Sequence, residues 1–237
     1  MALAIADAGA DVILTGRTAE SLEQTADEIR QFGRDAMTIA ADMSDRQTCE
    51  STCRDALETH GPIDILINNI GGRLIDTPTE TLPLEDWQRI IDLNLTSTFL
   101  CTKIIGGEML QRDHGGRVIN IASISGMIAN RGIGGRSYET SKAAVIQFTR
   151  ATAADWAPHA VTVNAICPGG VDTPMLAAVA GELGREVNEF LAEVAEETPN
   201  GRIAEPGEVA SLVLFLASDA GRHITGTAIP IDGGQMA

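Results

Sequence analysis

The segment "GRVINIAS", Gly116–Ser123, is rich in the β-branched residues valine and isoleucine and ends on a hydroxyl side chain. This pattern predicts a strand buried on both faces, as in a parallel sheet with helices on each side. Similar segments alternate with helical stretches, which predicts the α/β fold class with a doubly wound parallel sheet in three layers. The predicted strand segments are Asp11–Thr15, Asp35–Ala41, Ile63–Asn69, Gly116–Ser123, Ala160–Gly170 and Gly226–Gly234.

Helical patterns fill the intervals between these strands, and no linker, low-complexity tract or repeat interrupts them. We therefore expect a single domain that covers residues 1–237. The predicted helical segments are Ala19–Gly33, Asp45–Gly61, Leu84–Arg112, Ser137–Trp156, Met175–Glu197 and Glu205–Ala217.

Acidic side chains dominate the charge of the chain. Its 237 residues include 33 acidic and 17 basic side chains, a formal net charge of −16. Such a surface repels phosphate backbones, so we expect no nucleic-acid partner. The most apolar run, Val209–Ala217, is too short to span a bilayer, and the N-terminal segment lacks a signal-peptide pattern. No association with a membrane is expected.

The cysteines are interpreted as buried thiols. Cys49 and Cys53 are four residues apart in a helical stretch, but no second pair with metal-ligand spacing follows. The histidines are equally dispersed, so we expect no metal site. Scattered free thiols indicate a reduced protein in the cytoplasm. The cysteines are Cys49, Cys53, Cys101 and Cys167.

Polar residues and glycines follow the predicted strands. In open parallel sheets, ligands bind beyond the carboxyl ends of the strands. Five strand ends that carry small or polar residues therefore predict one long cleft, which suits an extended ligand such as a dinucleotide. These strand-end clusters are Gly16–Arg17, Asp42–Met43, Asn69–Gly72, Ser123–Gly126 and Pro168–Thr173.

Tyr138, the single tyrosine of the chain, precedes Lys142 by one helical turn. This spacing places both side chains on one face of a helix. A nearby cation favours the phenolate and lowers the pKa of a tyrosine, which can then transfer a proton near neutral pH. The spacing alone is equally consistent with a half-buried tyrosine beside a surface lysine. Ser123 at a strand end and Asn94 in a helix add a hydroxyl and an amide that fit a proton relay.

Four residues and three short motifs occur together in this chain: Asn94, Ser123, Tyr138, Lys142, "NNIG" at 68–71, "CPGGVDT" at 167–173 and the terminal "IDGG". This combination resembles the short-chain dehydrogenase/reductase family. The resemblance covers almost the whole chain. It implies a Rossmann-like fold and hydride transfer between a nicotinamide dinucleotide and a carbonyl or alcohol.

The same resemblance implies a role for each site residue. Tyr138 is the expected general acid or base, Lys142 lowers its pKa and holds the nicotinamide ribose, and Ser123 binds the substrate oxygen. Asn94 anchors a water relay to Lys142. Asp42 is expected at the adenine, Asn69 and Gly71 at the adenosine ribose, and Val171 and Thr173 at the carboxamide. The full set of expected cofactor residues is Arg17, Asp42, Met43, Asn69, Gly71, Tyr138, Lys142, Pro168, Gly169, Val171 and Thr173.

The end of the first predicted strand bears on the choice of cofactor. Enzymes that use NAD commonly place an acidic residue there, whereas this chain has Gly16 followed by Arg17. An arginine within reach of a 2′-phosphate favours NADP, and a solvated Arg17 with NAD as cofactor is the alternative.

The family's first strand and its glycine-rich pyrophosphate turn are not found before Asp11. We expect the sheet to be N-terminally truncated, with the first strand absent and the inner strand edges of its two halves unpaired. Two explanations are open. Either Met1 is an internal methionine of a longer protein, which the intact downstream positions favour, or the chain is a truncated form with impaired cofactor binding.

The substrate expected from the resemblance is a secondary alcohol or a ketone, such as a sugar acid (gluconate 5-dehydrogenase-like) or a 3-oxoacyl group. Asn130, Arg131 and Arg136 border the expected substrate position, and the two arginines suit an anion. The alternative is a non-catalytic subunit that uses the fold for assembly. In either case we expect a homotetramer or a homodimer. A serine hydrolase is excluded because "NIASISG" lacks the G-x-S-x-G elbow.

Overall fold

Parallel strands form two sheets in the computed structural model of the protein, which describes residues 1–73, 75, 77–129 and 135–237, the side chain of Glu182 excepted. One sheet contains two strands in the order β1-β2, and the other contains four in the order β3-β4-β5-β6. The strands are β1 (Val12–Gly16), β2 (Ala36–Ala40), β3 (Ile65–Asn68), β4 (Gly116–Ile121), β5 (Val161–Pro168) and β6 (Ala228–Ile231).

The two sheets are separate. Among the described residues, no strand pairing joins β1 to β3, so each of these strands keeps one edge without a partner strand. The expectation of two sheet halves is confirmed. The apolar core nevertheless continues across them, because Val12 of β1 and Ile67 of β3 pack against the same cluster of buried side chains.

Helices cover both faces of the four-stranded sheet. Adjacent residues of β4 show this, because side chains alternate between the faces of a strand. Val118 packs in a core cluster with residues of α3, α5 and α7. Its neighbour Ile119 packs in a second cluster with Ile5 of α1 and Val213 of α10. The helices are α1 (Ala2–Asp7), α2 (Ala19–Gln31), α3 (Arg46–His60), α4 (Leu84–Ile91), α5 (Ser97–Cys101), α6 (Gly107–Met109), α7 (Arg136–Trp156), α8 (Pro174–Glu182), α9 (Val187–Glu197) and α10 (Pro206–Ala217).

The predicted helix Leu84–Arg112 is helical as far as Met109, but it contains two wider turns. Asp92–Thr96 and Thr102–Gly106 are π-helical, and they join α4 to α5 and α5 to α6. Such turns leave the regular hydrogen-bond ladder and are frequent at functional sites. The first of them contains Asn94.

The predicted helical region Met175–Glu197 is divided into α8 and α9. Gly184 lies between them with a φ of 65°, a left-handed conformation that glycine adopts without strain. No helix among the described residues is long and apolar enough to cross a membrane.

A buried chain of amides links the helices to the sheet beside the site. The Asn68 side chain donates to Asn120 Oδ1 at 2.8 Å and to Thr102 Oγ1 at 3.0 Å. Asn120 donates in turn to Thr149 Oγ1 at 2.9 Å. The chain thus connects β3, β4, the second π-helical turn and α7, and its side chains are buried.

Replacing Asn68 with Ala removes the donor to Asn120 and leaves a buried amide oxygen without its partner. We expect the free energy of unfolding to fall by about 1–3 kcal/mol in urea denaturation. The neighbouring Asn69 is exposed, so Asn69→Ala is a matched control that is expected to change stability by less than about 0.5 kcal/mol. Equal losses in the two variants would contradict the structural role given to the buried amides.

Candidate active site

Tyr138 lies in the first turn of α7, and its side chain is buried against Ile75 and Ile90. Helix α7 begins after Gly135, which has a φ of 69° and therefore allows the chain to turn sharply into the helix. The tyrosine retains only 7% of its accessible surface. The single phenol of the chain is thus held in an apolar setting.

Ser123 meets Tyr138 across the end of the sheet. It follows β4, and its hydroxyl accepts a hydrogen bond from the Ser125 backbone N–H at 3.1 Å. The Ser123 hydroxyl is close enough to the Tyr138 phenol to lower its pKa. The two hydroxyls that the sequence analysis singles out therefore lie together.

Burial raises the pKa of Tyr138 above its ordinary value, because the phenolate loses its hydration. The Ser123 hydroxyl and the positive charge of Arg73 act in the opposite direction but do not offset burial. This differs from the expectation that Lys142 makes the phenol more acidic. In this structure the phenol keeps its proton at neutral pH.

Lys142 is buried one helical turn beyond Tyr138, with 4% of its surface accessible. Its ammonium donates to the carbonyl oxygen of Ile121 at 2.8 Å and lies 5.8 Å from the centre of the Tyr138 ring. Burial lowers the pKa of Lys142 to about 8, and the neighbouring Cys167 opposes this effect. The alternative of a surface lysine beside the tyrosine is therefore wrong.

Asn94 is fully buried and holds the loop that follows β3. Its amide nitrogen donates to the carbonyl of Gly72 at 2.9 Å, and its amide oxygen accepts from the Gly72 N–H at 3.1 Å. The amide nitrogen also donates to the carbonyl of Ile90 at 3.1 Å, a bond that the π-helical turn accommodates. The loop is fixed by a pair of reciprocal bonds.

Gly71 brings this loop close to Lys142. A Cβ atom at Gly71 would lie 2.6 Å from Asn94 Oδ1 and 3.0 Å from Lys142 Nζ. Only a glycine fits at this approach. The structure thus brings Gly71, Asn94 and Lys142 together.

Arg73 is a residue of this site that the sequence analysis does not identify. Its guanidinium carbon lies 4.7 Å from the centre of the Tyr138 ring, within the range of a cation–π contact. The position of Arg73 two residues after Gly71 gives a weak signal. The contact depends on a tertiary approach that spacing in sequence does not reveal.

Arg17 and Asp42, which are expected near the adenosine, lie close together at the ends of β1 and β2. Hydrogen bonds from the Ser44 hydroxyl and backbone lower the pKa of Asp42, and the charge of Arg17 adds to this effect. Arg17 is exposed, as is Asn69 at the end of β3. The side chain of Met43, by contrast, is buried in the core, so it does not line this group.

The remaining expected residues follow β5. Pro168 ends the strand, and the Gly169 N–H donates to the carbonyl of Ile231 at 3.1 Å. Val171 pairs with Ala204 in an isolated parallel bridge. Thr173 precedes α8, and its hydroxyl donates to the Val171 carbonyl at 3.3 Å. This segment is therefore fixed by backbone contacts beside the end of the sheet.

These residues fit a dinucleotide in chemical terms. Gly71 brings the backbone close to Lys142 and Asn94, whose ammonium and amide suit a ribose with hydroxyl groups to bind. Two further strand ends carry Arg17 and Asp42, a cation and a carboxylate that suit the adenosine portion.

The residues expected near the substrate are only partly described. Asn130 and Arg131 lie outside the described residues. Arg136 forms an ion pair with Glu139 at 2.7 Å, so its charge is at least partly compensated within the chain. Arg136 is therefore a poorer candidate for binding an anion than the sequence suggests.

Comparisons with known proteins identify the family of this chain. The family model described as "Enoyl-(Acyl carrier protein) reductase" matches residues 1–236. Galactitol 2-dehydrogenase of Rhizobium johnstonii is 38% identical over 232 residues, which cover 98% of this chain and 87% of that protein. The chain belongs to the short-chain dehydrogenase/reductase family. Accordingly, it is an oxidoreductase with a Rossmann-like fold.

Two further members of the short-chain dehydrogenase/reductase family illustrate the range of similarity. The 3-oxoacyl-[acyl-carrier-protein] reductase of Synechocystis is 35% identical over 237 residues, with 99% of this chain and 90% of that protein covered. A solved variant of actinorhodin polyketide ketoreductase with NADPH superimposes with a TM-score of 0.90 at 32% identity. That comparison covers 99% of this chain and 90% of the ketoreductase.

The lowered pKa of Lys142 predicts how stability depends on pH. Below pH 8 the lysine is protonated in both states, and the folded state bears the whole cost of burying the ammonium. Above pH 8 the folded state releases this proton first, which stabilises it relative to the unfolded chain. We therefore expect the stability of Lys142→Met, relative to the unaltered protein, to fall by about 3 kcal/mol between pH 8 and about 10.4.

Urea denaturation at several pH values measures this difference. Lys103 has a side chain that is 53% exposed, so Lys103→Met is a suitable control that should keep the pH profile of the unaltered protein. A Lys142→Met profile parallel to that of the unaltered protein would show that the ammonium is not buried as described.

Proposed function

We propose that the chain interconverts a secondary alcohol and a ketone with NADP as cofactor and Tyr138 as the proton-transferring residue. The observation that carries this proposal is the convergence of four side chains from separate elements. Asn94, Ser123, Tyr138 and Lys142 come from a π-helical turn, a strand end and α7, and each has a specific contact at the same end of the sheet.

The Ser123 and Tyr138 hydroxyls suit a carbonyl oxygen that lies between them. Both can donate hydrogen bonds to this oxygen and so stabilise the negative charge that develops there. A nicotinamide cofactor, when bound, would supply the hydride that the carbonyl carbon accepts. Tyr138 then donates its proton to the alkoxide, since the raised pKa has kept the phenol protonated until that point.

Two cations stabilise the phenolate that remains after this transfer. Arg73 lies 4.7 Å from the ring centre and Lys142 lies 5.8 Å from it. Their attraction for a negative charge is strong in a site that excludes water. Lys142 can also return a proton to Tyr138, because its pKa of about 8 lies close to the working pH.

Asn94 acts as a positioning residue in this scheme. Two of its hydrogen bonds fix the Gly72 backbone and so keep Gly71 against Lys142, and a third goes to the Ile90 carbonyl. The family resemblance adds a water that connects Asn94 with Lys142. The buried amide oxygen of Asn94 and the ammonium of Lys142 would be the groups that such a water contacts.

The proposal of NADP over NAD rests on Arg17. The exposed guanidinium follows β1, and it lies near enough to Asp42 to influence the pKa of that carboxyl. A guanidinium binds a 2′-phosphate through charge-assisted hydrogen bonds. The relative with NADPH supports the choice of a nicotinamide cofactor.

We further propose the substrate class, the location and the assembly. Sugar-derived alcohols or 3-oxoacyl groups are the leading substrate classes, since relatives carry the names galactitol 2-dehydrogenase and 3-oxoacyl-[acyl-carrier-protein] reductase. Four free cysteines are consistent with the cytoplasm. A homotetramer or homodimer is supported by exposed apolar rings such as Phe99, which is 44% accessible and packs edge-on against Phe148.

Replacing Tyr138 with Phe tests the proposed proton transfer. We expect kcat for reduction of a responsive ketone by NADPH to fall by at least about 100-fold, because the variant lacks the hydroxyl proposed to supply the proton. Stability should change by no more than about 1 kcal/mol, since only one oxygen atom is lost. The absorbance of NADPH reports turnover over a panel of keto sugar acids and 3-oxoacyl thioesters.

Ser137→Ala provides the matched control. It removes one buried oxygen from the adjacent residue, an oxygen for which the described residues provide no hydrogen-bond partner. Turnover should persist in this variant. Retention of most activity by Tyr138→Phe would contradict the proposed role. If the unaltered protein shows no turnover, the substrate panel is unsuitable or the chain does not bind the cofactor. Calorimetry with NADPH distinguishes these two cases, because the alternative of a non-catalytic subunit requires that NADPH does not bind.

Replacing Arg17 with Ala tests the proposed cofactor preference. We expect the Kd for NADPH to rise by about 10- to 100-fold, which is the effect of losing a charge-assisted bond to the 2′-phosphate. The Kd for NADH should change by less than about twofold. Arg34→Ala is the control, because Arg34 precedes β2 at the opposite end of the strands and pairs with Asp11. Equal losses for both cofactors in Arg17→Ala would contradict the preference.

A further inference from the structure

Three cysteines that are scattered in the sequence meet in the core, away from Tyr138. The sulfur of Cys101 lies 3.7 Å from that of Cys49 and 3.6 Å from that of Cys53. All three sulfur atoms lie within 4.8 Å of one another. The interpretation of these cysteines as buried thiols is confirmed, and the structure additionally brings three of them together.

Two elements build this cluster, which we call the thiol cluster (Cys49, Cys53 and Cys101). Cys49 and Cys53 lie one turn apart on α3 and face α5. Cys101 is the last residue of α5 and directly precedes the second π-helical turn. The arrangement is thus fixed by helix packing rather than by a flexible loop.

The sulfur positions match those of a thiolate metal site. A bond of about 2.3 Å from each sulfur to a shared ion places the sulfurs about 4.0 Å apart in a trigonal plane and about 3.8 Å apart in a tetrahedron. The measured separations differ from these values by a few tenths of an ångström for the two pairs that include Cys101. Small side-chain rotations are therefore enough to bring three sulfurs to one ion.

The surroundings favour an ion that needs three ligands. Among the described residues, the cluster contains no fourth cysteine, histidine or carboxylate. Buried apolar side chains such as Leu66, Leu100 and Ile105 belong to the same core cluster and exclude water from a fourth position. Zinc in structural sites takes four ligands, whereas thiolates alone are a preferred environment for Cu(I).

The cysteines bind an ion as thiolates, so an incoming ion must displace their protons. The positive charge of Arg54 acts on Cys53 and offsets part of the negative charge of the thiolates.

We propose that Cys49, Cys53 and Cys101 form a binding site for Cu(I). This inference is independent of the proposed oxidoreductase function, because none of the three cysteines contacts Tyr138, Ser123 or Lys142 among the described interactions. Binding replaces S–H bonds with Cu–S bonds, and the displaced protons pass to solvent. No change in oxidation state is involved.

The test uses the full chain without oxygen, titrated into Cu(I) held by the coloured competitor bicinchoninate. We expect the loss of colour to correspond to one Cu(I) per chain. In Cys101→Ala and in Cys49→Ala the affinity should fall by more than about 100-fold, because a direct ligand is lost. Cys167→Ala is the matched control, since Cys167 is also buried but lies outside the cluster. Its affinity should equal that of the unaltered protein.

A second measurement does not depend on the folding of the variants. X-ray absorption at the copper edge of the unaltered complex should show a first shell of three sulfur atoms. The proposal is overturned by nitrogen or oxygen in that shell, by unchanged affinity in folded Cys101→Ala, or by no transfer of Cu(I) from the competitor. A parallel titration with Zn(II) overturns the choice of ion if Zn(II) binds one to one and Cu(I) does not.

Discussion

The hydrogen bond from the buried Lys142 ammonium to the Ile121 carbonyl is the contact on which the candidate active site depends. It ties α7 to the carboxyl end of β4. Ser123 lies two residues beyond Ile121, and Tyr138 lies one turn before Lys142, so this contact sets the distance between the two hydroxyls. Burying an ammonium is costly, and the lowered pKa of Lys142 records that cost. A lysine placed there for stability alone would be a poor choice, because an apolar side chain fills the same space without the penalty.

The neighbouring elements show how the site is kept rigid without a dense network of charges. Asn94 lies in a π-helical turn, outside the regular helical pattern. Its amide donates a hydrogen bond to the Gly72 carbonyl and accepts one from the Gly72 N–H. Gly71 then approaches Lys142 more closely than any residue with a Cβ could. Each of these features is locally unfavourable or conformationally demanding. Together they position the Asn94 amide and the Lys142 ammonium beside Tyr138. Locally unfavourable features of this kind are typical of functional sites.

The sequence predicts most of the fold because strands and helices here depend on local patterns. The β-branched residues of β4 and the i,i+4 pair Tyr138 and Lys142 are examples. Properties that arise from tertiary contacts could not be predicted in the same way. The approach of Arg73 to the Tyr138 ring, the meeting of Cys101 with α3 and the raised pKa of Tyr138 all depend on which surfaces are buried together. The first π-helical turn has only a weak sequence signal, the low helix propensity of Asn94.

The charge of the site contrasts with that of the whole protein. A chain with a formal net charge of −16 repels anions at long range, yet Arg73 and Lys142 both lie within 6 Å of the Tyr138 ring centre. At physiological ionic strength, exposed charges farther apart than about 8 Å are largely screened, whereas partly buried charges are screened much less. An anionic ligand therefore meets little of the general repulsion once it is bound beside Tyr138 and experiences mainly the two nearby cations. The same cations favour the phenolate over the neutral phenol. When an anion is bound beside them, they stabilise the phenolate less, which keeps the proton on Tyr138. The charge of the ligand and the proton transfer are therefore coupled.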